Sequence, residues 1–114
     1  MKSLHSLVIK DTDTFNKAVK KLKKRFRNIE KDYLAFLDSI QTDEDLGIYL
    51  GEGIYKTRIA NTDKQGGKSG GYRLISYLKL IDNELYLMYI YDKSDFENVS
   101  EHDIDSLIIS SLKS

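Results

Sequence analysis

Residues 54 to 93 constrain this chain most, because they read as three apolar strands in succession. The first two are joined by a glycine-rich basic loop and the last two by a tight turn. Ile54 to Asn61 alternates, and a side-chain period of two puts Lys56 and Arg58 on one face and Tyr55, Thr57 and Ile59 on the other. The run from 71 to 80 places Arg73, Ile75, Tyr77 and Lys79 on one side and Tyr72, Leu74, Ser76 and Leu78 on the other. Asp82-Asn83 is a turn signal, and Glu84 to Tyr91 is a third strand. An antiparallel meander of the three brings Lys56, Arg58 and Arg73 together. A strand with two cations on one face is expected to leave that face uncovered.

The loop from Thr62 to Gly71 carries Lys64 and Lys68 among four glycines. Gly67-Lys68-Ser69 invites a phosphate-binding-loop reading, but Thr62 stands where that pattern needs its first glycine. A strand also follows where a helix is required, so nucleotide binding of that kind is rejected. What remains is a mobile hairpin loop or a basic flap that can lie close to a nucleic-acid backbone.

The remainder is read as support for this unit. Residues 4 to 10 suggest a short strand, and Asp11 to Thr14 offer several helix caps. Phe15, Val19, Leu22 and Phe26 form one stripe of an amphipathic helix, and Ile29, Tyr33, Leu37 and Ile40 form a second. Asn28 is the expected break between two helices; a single helix of roughly 27 residues is long for so small a domain. Residues 42 to 53 read as a glycine-punctuated connection. Ser100 can cap a last helix with Asp103 at its third position, and that helix has the stripe Ile104, Leu107, Ile108 and Leu112.

Charge is segregated along the chain, although the formal net charge is zero. Lys17, Lys20, Lys21, Lys23, Lys24, Arg25, Arg27 and Lys31 make one basic block, and Lys56, Arg58, Lys64, Lys68, Arg73 and Lys79 a second. Acids crowd the carboxyl end. The first block is an ordinary solvated helix face or, through Lys20 and Lys24, a footprint on a polyanion. With 114 residues, no cysteine and no proline, the chain is expected to be one domain of residues 1–114, without disulfides or thiolate metal sites. Its amino-terminal apolar run is too short for a signal peptide, so a soluble cytoplasmic protein is expected.

The order strand, two helices, then strands bearing Tyr-Lys-Thr-Arg-Ile-Ala, Gly-Gly-Lys-Ser-Gly-Gly-Tyr-Arg-Leu-Ile-Ser-Tyr and Leu-Tyr-Leu-Met-Tyr-Ile-Tyr-Asp-Lys-Ser, closed by a helix, resembles the RelE/ParE superfamily of bacterial toxins. Within it the HigB-like RelE branch is the nearest in pattern. The resemblance implies an α+β fold: a central, mostly antiparallel sheet with an N-terminal helical hairpin on one face and a C-terminal helix. It also implies a ribosome-dependent endoribonuclease that cuts messenger RNA in the A site by metal-independent attack of a 2′-hydroxyl, needs no cofactor, and is held by a cognate antitoxin. Contact with DNA would be indirect, through the antitoxin complex, and no membrane is involved.

Carried over residue by residue, Arg73 matches the family's phosphate-binding arginine, Lys56 and Arg58 its basic strand, Lys68 its glycine-rich loop and Lys93 the lysine after the last strand. Arg73, Lys56, Lys93 and Tyr91 are therefore the expected catalytic set, with Arg58, Lys64, Lys68, Tyr77, Lys20 and Lys24 on the RNA. Ser94 stands where RelE has an arginine, and Ser100 near the place of a base-stacking tyrosine. Tyr91 and Phe96 are the candidates to supply the acid and the stacking platform. His5 and His102 fall outside the site. A ParE-like gyrase poison and a catalytically inert RNA- or antitoxin-binding module are the rival readings.

Overall fold

The structure, a computed structural model, describes residues 3–64 and 70–113, with the Lys113 side chain excepted. In chain order it comprises β1 (Val8–Asp11), α1 (Asp13–Lys23), α2 (Ile29–Ser39), β2 (Ile48–Gly51), β3 (Ile54–Ile59), β4 (Tyr72–Lys79), β5 (Glu84–Asp92) and α3 (Glu101–Lys113). The five strands form one sheet in the order β1-β5-β4-β3-β2. Among the described residues the β1–β5 pair is parallel and the other three pairs are antiparallel. The α+β architecture expected from the pattern is thus the one observed.

The helical hairpin covers one sheet face. Thr12 caps α1 by accepting a hydrogen bond from the Phe15 amide at 3.1 Å, satisfying one of the free amides of the first turn. Phe15, Val19 and Leu22 then bury the predicted stripe, and the chain breaks at Asn28 before Ile29 starts α2. Phe15 meets Tyr33 edge-on at 5.2 Å across the two helices. Beneath them lie Tyr72, Leu74 and Leu78 of β4 and Leu85, Leu87 and Ile90 of β5, one contiguous apolar core.

Two elements differ from the sequence reading. The first strand is Val8–Asp11, not 4 to 10: Ser6 is left-handed at φ 53° and ends any extended run before Leu7. Leu4 instead enters the core, its amide bonded to the Gln41 carbonyl at 2.9 Å. The stretch from 42 to 53 is not just a connection. It contains a 3-10 turn over Asp43–Leu46, closed by reciprocal Thr42 and Asp45 bonds, and then the edge strand β2. Gly47 permits the change of direction, for at φ +93° a Cβ there would lie 2.2 Å from the Lys56 carbonyl oxygen. The strand was hidden because Ile48 and Tyr49, at 53% and 57% exposure, lie on an edge that buries neither face.

Candidate active site

Arg58 and Arg73 are direct cross-strand partners, and Lys56 lies opposite Ile75, so the three cations share the sheet face away from α1 and α2. That much follows from the strand period. The expectation of an uncovered face is overturned, because α3 lies across it. Lys56 is only 4% exposed and Arg73 is fully buried, whereas Arg58 stays in solvent.

The burial is made possible by two carboxylates one turn apart on α3. Lys56 Nζ donates to Glu101 Oε2 at 3.0 Å and to both oxygens of Asp105 at 3.1 and 2.9 Å. Glu101 Oε1 lies 3.6 Å from Arg73 Nη2 and 3.9 Å from Lys93 Nζ. One carboxylate therefore sits within ion-pair range of three cations drawn from β3, β4 and the turn after β5. The Lys56 hydrogen bond, with the charges of Arg73 and Lys93 behind it, holds the Glu101 carboxyl below the usual glutamate range. Sequence reasoning missed Glu101 and Asp105. The signal was available as an i, i+4 acidic pair on a helix whose apolar stripe begins between them.

Tyr91 closes the row. It is 3% exposed, and among the described residues its hydroxyl has no hydrogen-bond partner. Burial, and then the nearby Asp105 and Glu101, push the phenol up to about 12, so it stays protonated at neutral pH. Tyr91, Lys93, Ser94, Phe96 and Glu101 line a cavity of about 430 Å³, with Gly70 at its rim. Phe96 meets Tyr91 edge-on at 5.2 Å.

The stem of the glycine-rich loop is tied down next to this cavity. Asp32 accepts from the Thr62 amide at 3.0 Å and from its hydroxyl at 2.8 Å, and Asp63 accepts from the Asn28 amide at 2.8 Å. Lys64 Nζ donates to buried Asp92 at 2.6 Å and to the Ser94 hydroxyl at 2.9 Å, and Ser94 donates to the same carboxylate. Burial works to raise Asp92, but the bonds from Lys64, Ser94 and Asn61 outweigh it and leave its carboxyl below the usual range. On the other side, the Lys93 amide donates to the Gly71 carbonyl at 3.0 Å. A Cβ on Gly71 would fall 2.2 Å from the Ile59 carbonyl oxygen, so the hairpin closes only with glycine there. Lys68 lies outside the described residues.

The remaining expected residues are more scattered. Tyr77 is half-buried on the same face, its ring 5.9 Å from that of Tyr86. Lys20 and Lys24 are exposed on and just after α1, on the opposite side of the sheet from Arg73. Lys64 belongs to the loop stem and not to the Lys56–Arg73 row. Among the described residues no group of three or more histidines or acids is placed to hold a metal ion, and no helix is long and apolar enough to cross a membrane.

The family model described as the RelE toxin of the RelE/RelB toxin-antitoxin system matches residues 9–111, from β1 into α3. No curated protein matches the chain at a significant level.

Proposed function

The chain belongs to the RelE toxin family of toxin-antitoxin systems, and on that premise we propose that it is a ribosome-dependent endoribonuclease cutting messenger RNA in the A site. Membership makes it a toxin with a cognate antitoxin as partner. Our finer reading is a single HigB-like domain over residues 1–114, acting in the cytoplasm, with DNA reached only through the antitoxin complex.

The observation that carries the nuclease reading is the convergence of Lys56, Arg73 and Lys93 on one anionic group. A phosphodiester placed there would have the guanidinium of Arg73 on its non-bridging oxygens, in the bidentate geometry that arginine favours. The 2′-oxygen attacks phosphorus, the bond to the 5′-oxygen breaks, and a 2′,3′-cyclic phosphate and a 5′-hydroxyl result. Lys56, Arg73 and Lys93 stabilise the added charge on the pentacoordinate phosphorus, and the 2′-proton passes to solvent water. Tyr91, neutral and beside the row, protonates the departing 5′-oxygen. Arg58 and Tyr77 extend the same face for the flanking nucleotides, with Tyr77 as a stacking platform and Lys64 and Lys68 at the loop.

One observation favours a second reading, a binding module without nuclease activity: the cations are already satisfied by Glu101 and Asp105. Primer-extension mapping on a messenger translated in a purified system separates the two. Cuts within codons that need ribosomes and vanish in Arg73→Ala are expected. A folded wild-type sample that leaves the messenger intact would overturn the nuclease reading.

A further inference from the structure

We propose that α3 is an electrostatic latch: Glu101 and Asp105 occupy the anion position shared by Lys56, Arg73 and Lys93, and the helix must swing off the sheet before a polynucleotide phosphate can take it. The inference rests on reading that row as a phosphate site.

Occupancy is mutually exclusive. Both oxygens of Glu101 are engaged, at 3.0, 3.6 and 3.9 Å from the three cations, and Asp105 takes two more bonds from Lys56. A phosphate oxygen close enough to replace one of these contacts would stand against a carboxylate, a like-charge approach. Carboxylate and phosphate therefore compete.

The helix is also seated in a way that lets it leave. Among its described side chains only Ile104 is buried, and Leu107 is 69% exposed although it belongs to the apolar stripe. Ile104 stands between two hollows. One is the 430 Å³ cavity beside Lys93; the other, of about 380 Å³, runs along α3 toward Thr14 and Tyr89. Space without partner atoms contributes no dispersion attraction, so apolar packing holds α3 weakly and the ion pairs hold it in place. Residues 97 to 100, which lead into the helix, are all exposed.

Glu101 is better suited to this role than to that of a general base. Three cations keep it ionised and weakly basic, the wrong direction for drawing a proton from a hydroxyl. A polyanion, in contrast, offers the same cations many phosphates at high local density. If the latch is closed about 99% of the time, apparent affinity for a nucleic acid falls about a hundredfold below that of the open form.

The test uses the full chain and an all-deoxy oligonucleotide, which lacks the attacking hydroxyl and cannot be cleaved. Fluorescence anisotropy would measure its binding, and amide hydrogen exchange would follow α3, in the wild type, in Glu101→Gln/Asp105→Asn, and in Glu97→Gln/Asp103→Asn, which removes the same charge from exposed positions. The latch requires the first double variant to bind at least about tenfold tighter than both other proteins. Its α3 amides should exchange faster without ligand while the sheet amides stay protected, and the oligonucleotide should deprotect α3 in the wild type. Equal affinities across the three proteins, or oligonucleotide bound with α3 still protected, would overturn the latch. An α3 that opens on loss of the two charges in a chain that binds no oligonucleotide supports the electrostatic seat and overturns the phosphate reading of the row.

Discussion

The two faces of the sheet are built from the same strands but held by different physics. On the α1–α2 face, Phe15, Ile29, Leu74, Leu85 and Leu87 are fully buried in one continuous cluster. On the α3 face a thin apolar layer, with Ile75, Tyr91 and Ile104, lies beside buried Lys56 and Arg73, neutralised from across the chain by Glu101 and Asp105. Apolar burial is non-directional and scales with area, so the first face is stable whatever occupies its surroundings. An ion pair is stable only while no better partner is offered. The same sheet therefore carries a permanent face and an exchangeable one.

The largest effect expected from breaking this contrast is on the apolar face. Phe15→Ala should lose about 3–5 kcal/mol of unfolding free energy, the usual cost of emptying a fully buried aromatic site, read from a chemical denaturation midpoint. A loss below about 1 kcal/mol would mean the helix face is not the stable one. Gly71→Ala strikes the boundary of the two faces by driving a methyl group into the Ile59 carbonyl; about 1–3 kcal/mol is expected, and an unchanged midpoint would remove glycine's role in closing the hairpin.

On the latched face the same kind of truncation should stay local. Ile104→Ala is expected to lower the unfolding free energy by less than about 1 kcal/mol and to leave most hydrogen-exchange protection across α3 in place, because the ion pairs of Glu101 and Asp105 hold the helix. A loss matching that of Phe15→Ala would make α3 part of the main cooperative unit.

Acid should sharpen the difference further. The folded carboxyl of Glu101, facing Lys56, Arg73 and Lys93, titrates below its unfolded value near 4.5. Its contribution is thus complete above that value and is lost as pH falls through the folded one. Nuclear magnetic resonance of the Ile104 methyl should report loosening of α3 in that acidic window before the Leu87 methyl moves. Simultaneous movement of both would contradict separate control of the faces. At the small end, Lys23→Ala breaks the exposed Lys23–Glu30 pair and should change stability by about 0.5 kcal/mol or less, with a larger loss pointing to a structural role for the basic helix.

What was legible in the sequence follows this division. The stripe Phe15, Val19 and Leu22, the break before Ile29 and the alternation around Arg73 are local patterns that survived in the structure, although α1 ends at Lys23 and Phe26 enters the core from the turn that follows. The row of Lys56, Arg58 and Arg73 was legible because strand period and meander topology together dictate a shared face. The edge strand β2 was not, since an exposed strand has no need to alternate. Nor was the partnership of Lys56 with Glu101 and Asp105, which lie 45 and 49 residues away.

By itself the sequence determined the order of elements apart from β2, the apolar face and the set of cations that the sheet would gather, all consequences of local periodicity and chain connectivity. Only the tertiary structure decided that Lys56 and Arg73 are buried, that Tyr91 joins them with no partner for its hydroxyl among the described residues, and that acids from the last helix lie on top. Charge has no period that reveals its partner, and which acid meets which base is settled by where α3 comes to rest.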